Sequence, residues 1–287
     1  MTIVITGATG HLGRRVIGSL LARGVAPSEI VAGGRALDRL AEVAARGVAV
    51  VPLDYTQPET LDAAFAGADR VLLISASEAG KRVAMHAAAI DAAKRAGVGH
   101  LVYTSAPNAR SSALVLAAEH KATEELIEAS GIPATILRNG WYTENYVSTA
   151  RQAAQSGEIV ASVGEGRVSS ASRQDFAEAA AVVLTDPGTR GRIYELAGDT
   201  AWTFDELAAA VAEIEGRPVV FRNVSPEEHA EILTAAGLDA GTVGFVVGLD
   251  QNIKAGVLGE TSGDLARLIG RPTTPLREGL AAALAAA

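Results

Sequence analysis

Gly7, Gly10 and Gly13 stand three residues apart in Thr6-Gly-Ala-Thr-Gly-His-Leu-Gly13, directly after the β-branched run Ile3-Val4-Ile5. A run that short suits a buried strand, and Val16, Ile17, Leu20 and Leu21 then recur at helical spacing. Strand, glycine turn and helix in that order can seat a diphosphate. Residues without a Cβ let the backbone come close to the ligand, and the helix N-terminus supplies free N–H groups with a partial positive charge. The glycines alone would be a weak signal; their context points to a dinucleotide.

The next group with chemistry in it is Arg35, which ends the run Ile30-Val31-Ala32-Gly33-Gly34. In a dinucleotide fold this strand end meets the adenosine ribose, where an acidic side chain selects NAD through the 2′-hydroxyl. No Asp or Glu occurs between Val31 and Leu37, and Arg39 follows one helical turn on. A guanidinium suits a 2′-phosphate, so the expected cofactor is NADP(H), the competing reading being a solvated surface arginine. Ser75-Ala76-Ser77 places small polar groups at another strand end, where open α/β sheets bind ligands. Asn139-Gly140-Trp141-Tyr142-Thr143-Glu144-Asn145-Tyr146 gathers aromatic and amide groups in a chain that is only 4% aromatic. A core cluster would be mixed with Leu and Val, so this one reads as site-lining, with Tyr142, Asn145, Tyr146 and Trp141 as substrate walls. Arg82 and His86 share a helix face, either lining the site or simply solvated.

These residues need strands to hold them. The pattern predicts strands at Ile3–Ile5, Ile30–Arg35, Val48–Tyr55, Arg70–Ile74, His100–Ser105 and Ala134–Arg138, with helices near 36–46, from Pro58, at 80–96 and at 116–130. Asp54 and Tyr55 lie either near an adenine edge or at the cap of the next helix. Regular alternation loosens beyond residue 150. There Gly164-Glu165-Gly166 reads as a hairpin-like turn, residues 172–185 and 204–215 as helices, and 192–198 and 218–224 as strands. Short helices fill 226–287, and the Ala-rich tail 280–287 is a helix end. The expected fold is α/β, a Rossmann-type doubly wound parallel sheet over 1–150 with a smaller, partly interleaved α/β substrate lobe over 151–287. Strand 192–198 would return to the first domain.

Composition narrows the chemistry. The net charge of −8 argues against a nucleic-acid partner, since phosphate-backbone affinity needs clustered Lys and Arg. Cysteine is absent, which excludes disulfides, thiolate metal sites and a cysteine nucleophile, and fits a reducing cytoplasm. No apolar stretch approaches the ~20 residues that span a bilayer, and no signal peptide precedes the first strand, so no membrane partner is expected. No metal-binding spacing is present either.

The glycine turn, Arg35, Leu73-Ile-Ser-Ala-Ser77, Val102-Tyr-Thr-Ser105 and Leu137-Arg-Asn-Gly-Trp-Tyr-Thr-Glu-Asn-Tyr146 together resemble the NmrA-like group of atypical short-chain dehydrogenases. The likeness extends to Glu195-Leu-Ala-Gly-Asp199 and Leu268-Ile-Gly270 and so covers nearly the whole chain. Within the group it is greatest to bacterial NAD(P)H:quinone reductases and next to triphenylmethane reductases. The resemblance implies cofactor contacts from Gly7, Ala8, Thr9, Gly10, His11 and Leu12, from Arg35, and from Ser75, Ala76 and Ser77. It implies the same for Asn139, Gly140, Trp141, Tyr142, Thr143 and Glu144.

One familiar element is missing. Short-chain dehydrogenases that reduce ordinary ketones pair a Tyr with a Lys four residues on, and no Tyr here has that partner. Aligning helix 116–130 through Glu124 puts Leu116 and His120 at the Tyr and Lys positions. Lys121 is one place off, turned by about 100° around the helix. A quinone suits such a site, because aromatisation stabilises its reduced oxygens. Water, or His120 with a pKa near neutrality, would supply the proton. The expectation is therefore an NADPH-dependent quinone reductase with His120 as its one catalytic candidate and room for a homodimer. The rivals are a reductase of a conjugated polyketide ketone or a cationic dye, and a non-catalytic regulator that senses dinucleotide through a protein partner.

Overall fold

Seven strands in the order β3-β2-β1-β4-β5-β6-β9 form the central sheet of the computed structural model, which describes residues 1–78 and 80–286. They are β1 (Ile3–Ile5), β2 (Ile30–Gly34), β3 (Ala49–Pro52), β4 (Arg70–Leu73), β5 (His100–Ser105), β6 (Ala134–Asn139) and β9 (Ile193–Leu196). Every pairing from β3 across to β6 is parallel, with Ile3 opposite both Ile30 and Arg70. The expected doubly wound sheet is therefore present, with β9 added at its edge. The order reverses between β1 and β4, and such a switch point opens a crevice at the carboxyl ends of the two strands.

The sequence accounts for the layers. β1 is buried on both faces. Val4 joins Val71, Leu73, Tyr103 and Ile136 in a core shared with Leu61 and Phe65 of helix Pro58–Phe65 and with Ala89 and Ile90 of helix Arg82–Arg95. The neighbours of Val4, Ile3 and Ile5, point to the opposite side, as strand alternation requires. Helix His11–Ala22 lies against helix Arg173–Thr185. Alanine dominates the buried positions of that second helix, letting the two backbones approach closely.

The chain divides into two compact units, the second taking the short segment 111–115 before the longer crossing at Asn139–Gly140. The first unit comprises residues 1–110, 116–139 and 173–195; the second comprises 111–115, 140–172 and 196–287. In the second, β7 (Glu158–Ala161) pairs in parallel with β11 (Val220–Asn223), and β8 (Arg167–Val168) pairs antiparallel with β10 (Trp202–Thr203). The turn Gly164–Gly166 therefore does not make a hairpin, because β7 and β8 each pair elsewhere. Thr203 opens helix Phe204–Glu215 with the reciprocal Thr203–Glu206 capping box its sequence foretold. The Ala-rich tail ends helix Leu276–Ala285; residue 287 lies outside the described residues. Among the described residues no helix is long and apolar enough to cross a membrane.

Candidate functional site

The turn after β1 is packed so tightly that only glycine fits. Gly7 has φ +57°, and a Cβ on Gly13 would stand 2.6 Å from the Gly7 carbonyl oxygen and 2.7 Å from Ala8 Cα. The Ala8 N–H donates to Gly33 O at 2.9 Å, and a Cβ on Gly34 would strike the Thr9 side chain. Helix His11–Ala22 begins behind this turn with no side-chain cap and no acidic residue in its first turn. Its first N–H groups and partial positive charge are thus left for an anion. Thr6 joins the ends of β1 and β4, its hydroxyl donating to Leu72 O at 2.9 Å and accepting from the Ile74 N–H at 2.9 Å. Tyr55 turns inward to the same place, donating to Ile74 O at 2.7 Å. Asp54 accepts from Thr56 instead of capping a helix. The capping role expected for them is not taken, since Gln57 stands at the N-cap of helix Pro58–Phe65.

Arg35 follows β2 with an exposed guanidinium, Nη1 3.1 Å from Glu78 Oε1. The glycine cradle, the uncapped helix and this cation at the β2 end fit a dinucleotide carrying a 2′-phosphate.

Ser75–Ser77 is held from below. Thr104 Oγ1 accepts the Ser75 N–H at 2.9 Å, His86 Nε2 accepts the Ala76 N–H at 2.9 Å, and Arg82 Nε donates to Ala76 O at 2.7 Å. Arg82 also pairs with Glu119 at 3.0 Å. His86 and Arg82 are therefore not solvated; both are buried braces for the loop. Because Nε2 accepts, the His86 proton sits on Nδ1, 3.0 Å from Thr123 Oγ1. Burial, then the charges of His120 and Arg82, push His86 down to about 3.

His120 is buried in helix Ala117–Ser130, with Nδ1 2.8 Å from the Tyr103 hydroxyl. Burial and then Arg82 push it down to about 4, so the expectation of a near-neutral pKa is corrected: the ring is uncharged and a poor acid. Lys121 faces solvent. Glu124 is the anchor of this region, accepting from Ser105 at 2.7 Å, from Arg138 at 2.9 and 2.7 Å and from Arg110 at 3.2 Å. Burial raises its pKa, but Arg138 and Ser105 outweigh this and leave it below the ordinary carboxylate value.

The segment leaving β6 starts with a close approach, since a Cβ on Gly140 would lie 2.8 Å from Leu196 O. Trp141 and Thr143 then bond through their backbones to Ala171. Thr143 is buried, its hydroxyl 2.9 Å from Ser170 Oγ. Asn145 is exposed, and Tyr146 is buried edge-on to Trp202, ring centres 4.9 Å apart. Trp141, Asn145 and Tyr146 line a cavity of about 410 Å³ in the second unit, a volume common for small-molecule sites. The cavity walls are mainly apolar, from Ile159 and Phe204 to Ile232 and Leu249.

Two further cavity residues escape a reading of the sequence: His229 of helix Pro226–Ala235 and Asp250 of helix Ala240–Lys254. His229 Nδ1 lies 2.9 Å from Asp250 Oδ2 but is not aligned for a hydrogen bond, while that oxygen accepts from the Ser162 N–H at 2.7 Å and its hydroxyl at 3.0 Å. The signal was present in each helix. His229 shares a face with Ile232 and Leu233, and Asp250 with Val243, Val246 and Ile253, so each is a polar group set in an apolar stripe.

Residues 7–187 match the family described as NAD(P)H-binding. Quinone oxidoreductase 2 of Escherichia coli (strain K12) is 43% identical over 276 residues, 96% of each chain. The structure of the NADPH-dependent quinone oxidoreductase from Escherichia coli complexed with NADPH superposes with a TM-score of 0.94 at 42% identity, covering 98% of this chain and 99% of that one. The Citrobacter sp. triphenylmethane reductase complexed with NADP(H) gives 0.93 at 40% identity, covering 99% and 100%.

Proposed function

The chain belongs to the NAD(P)H-binding family, and from that premise we propose that it is an NADPH-dependent reductase passing a hydride to a quinone. The observation that carries the reading is the acid-poor helix Ala117–Ser130. It presents an uncharged His120 to Tyr103 and turns Lys121 to solvent. A simple ketone would need a strong proton donor there, whereas a quinone gains aromaticity on reduction and needs much less help.

When bound, the reduced nicotinamide supplies the hydride. The chain supplies placement and exclusion of water. Gly7, Ala8, Thr9, Gly10, His11 and Leu12 seat the diphosphate, and Arg35 takes the 2′-phosphate, with Arg39 exposed nearby in sequence. Ser75, Ala76 and Ser77 form a floor fixed by His86 and Arg82. Asn139 and Gly140 to Glu144 complete the cofactor contacts, while Trp141, Tyr142, Asn145 and Tyr146 give the acceptor an aromatic wall. His120 orients groups through Tyr103 and does not donate a proton itself. The absence of cysteine supports a cytoplasmic setting.

NADPH oxidation with benzoquinone, a conjugated ketone and a triphenylmethane dye tests the reading. Benzoquinone should be turned over fastest. A faster dye would move the assignment toward the likeness with triphenylmethane reductase. NADPH binding without turnover of any acceptor would replace the enzyme with a dinucleotide sensor.

A further inference from the structure

Asp250 carries two carboxylate oxygens, and its protein contacts, from Ser162 and His229, all fall on Oδ2. His229 Nδ1 lies buried 2.9 Å from that same oxygen without a hydrogen bond to it, and no protein group among the described residues bonds Nε2. Both residues are at least nine-tenths buried, yet both line the cavity that Trp141, Asn145 and Tyr146 share. Two Ser162 donors hold one carboxylate oxygen beside a buried imidazole, a costly arrangement for groups with no use, since burying a carboxylate demands compensation. With Asp250 beside Nδ1, Nε2 is the ring nitrogen available to a ligand in the cavity that both residues line. The other titratable groups lining the cavity are Tyr146, Glu158 and Arg222. Glu158 and Arg222 are engaged with one another, and Arg222 with Glu228 as well, on the exposed side.

We propose that the His229–Asp250 pair is the proton donor to the acceptor, holding one oxygen of an aromatic quinone in this cavity. The inference rests on the quinone reading and adds the acid that helix Ala117–Ser130 lacks. Hydride addition leaves the acceptor as a hydroquinone anion. With both ring nitrogens protonated, Nε2–H hydrogen-bonds that oxygen and transfers its proton to it. The product is a neutral hydroquinone, whose O–H then donates to the vacated Nε2 lone pair, and solvent restores the imidazole proton as product leaves. Quinone, hydride and one proton thus balance to hydroquinone. The apolar walls suit the remainder of the ring system, and the segment that supplies Trp141 and Tyr146 emerges directly from β6.

The test uses the full chain with menadione as probe. Both tryptophans lie in this region, Trp141 on the cavity and Trp202 against Tyr146, so menadione should quench fluorescence saturably even without NADPH. His229→Gln should raise the menadione Kd by roughly fivefold, the worth of one hydrogen bond. It should also lower kcat by about tenfold, at the weak end of general-acid effects, with KM for NADPH unchanged. His229→Ala should recover rate with added imidazole. Wild-type values for Kd and kcat in His229→Gln would overturn the assignment. Should that variant melt early, Val246→Trp fills the same cavity from its apolar wall; saturable quenching that survives it overturns the site. Wild-type protein that binds menadione but fails to oxidise NADPH with it refutes the quinone reading, a separate result.

Discussion

The buried histidines under the Ser75–Ser77 loop set a measurable acid sensitivity. His86 and His120 titrate near 6.5 when unfolded but at about 3 and about 4 in the folded chain, chiefly through burial. Their folded values are depressed, so between these limits the unfolded chain binds protons that the native chain refuses. Stability is therefore full above pH 6.5 and falls as the pH drops toward 4. Integrated from pH 6.5 to 4.5, each contributes a loss of roughly 2 kcal/mol, about 4 kcal/mol together. His100, pushed down to about 4 by burial, adds to the same trend. Replacing His86 with Leu removes one share. At pH 7 the variant should be less stable by about 1–3 kcal/mol, because the Ala76 N–H loses its acceptor. Between pH 6.5 and 4.5 it should then lose roughly 2 kcal/mol less than the parent. Urea unfolding at pH 7.0, 5.5 and 4.5 reads both numbers. The carboxylate Glu124, held below its ordinary value, loses its contribution only below about pH 4.5, outside this window. A parent and variant whose stabilities fall in parallel from pH 6.5 to 4.5 would refute the reasoning.

Gly13→Ala should abolish NADPH binding in a fluorescence titration, since its Cβ meets backbone at 2.6 Å and neither Gly7 nor Ala8 can yield without moving β1. Arg35→Ala should weaken NADPH by roughly tenfold or more while leaving NADH nearly unchanged, the worth of a charge-assisted contact to the 2′-phosphate. Its melting temperature should not move, because the pair with Glu78 is exposed. Glu124→Gln should cost about 1–3 kcal/mol in chemical denaturation, since Arg138 would lose one of its two charged partners and keep Glu195.

The first domain was legible because its signals are local. A β-branched run, three glycines and a helical stripe lie within twenty residues, and the structure sets them at the switch point where a cofactor crevice is expected. Arg35 was equally readable, as the residue that ends β2. Arg82 and His86 were misplaced because helix Arg82–Arg95 is alanine-rich on nearly every side, so its sequence does not distinguish inside from outside. His120 could be placed on its helix but not in its environment. Its depressed titration comes from tertiary burial and from Arg82, which belongs to a different helix. Asp250 and His229 lie on two separate helices and Ser162 just past the end of β7, and the three become one cluster only on folding.

The interleaving of the two units bears on how the chain is made. Helix Arg173–Thr185, which covers helix His11–Ala22, and β9, which closes the sheet edge, are among the later segments to be synthesised. A nascent chain that has emerged only as far as β6 thus carries the glycine turn and β1–β6 while one apolar flank of its first helix is still bare. The nucleotide-binding half cannot mature as a stand-alone module at the ribosome, and it reaches its finished form only after the whole intervening lobe segment 140–172 has left the exit tunnel.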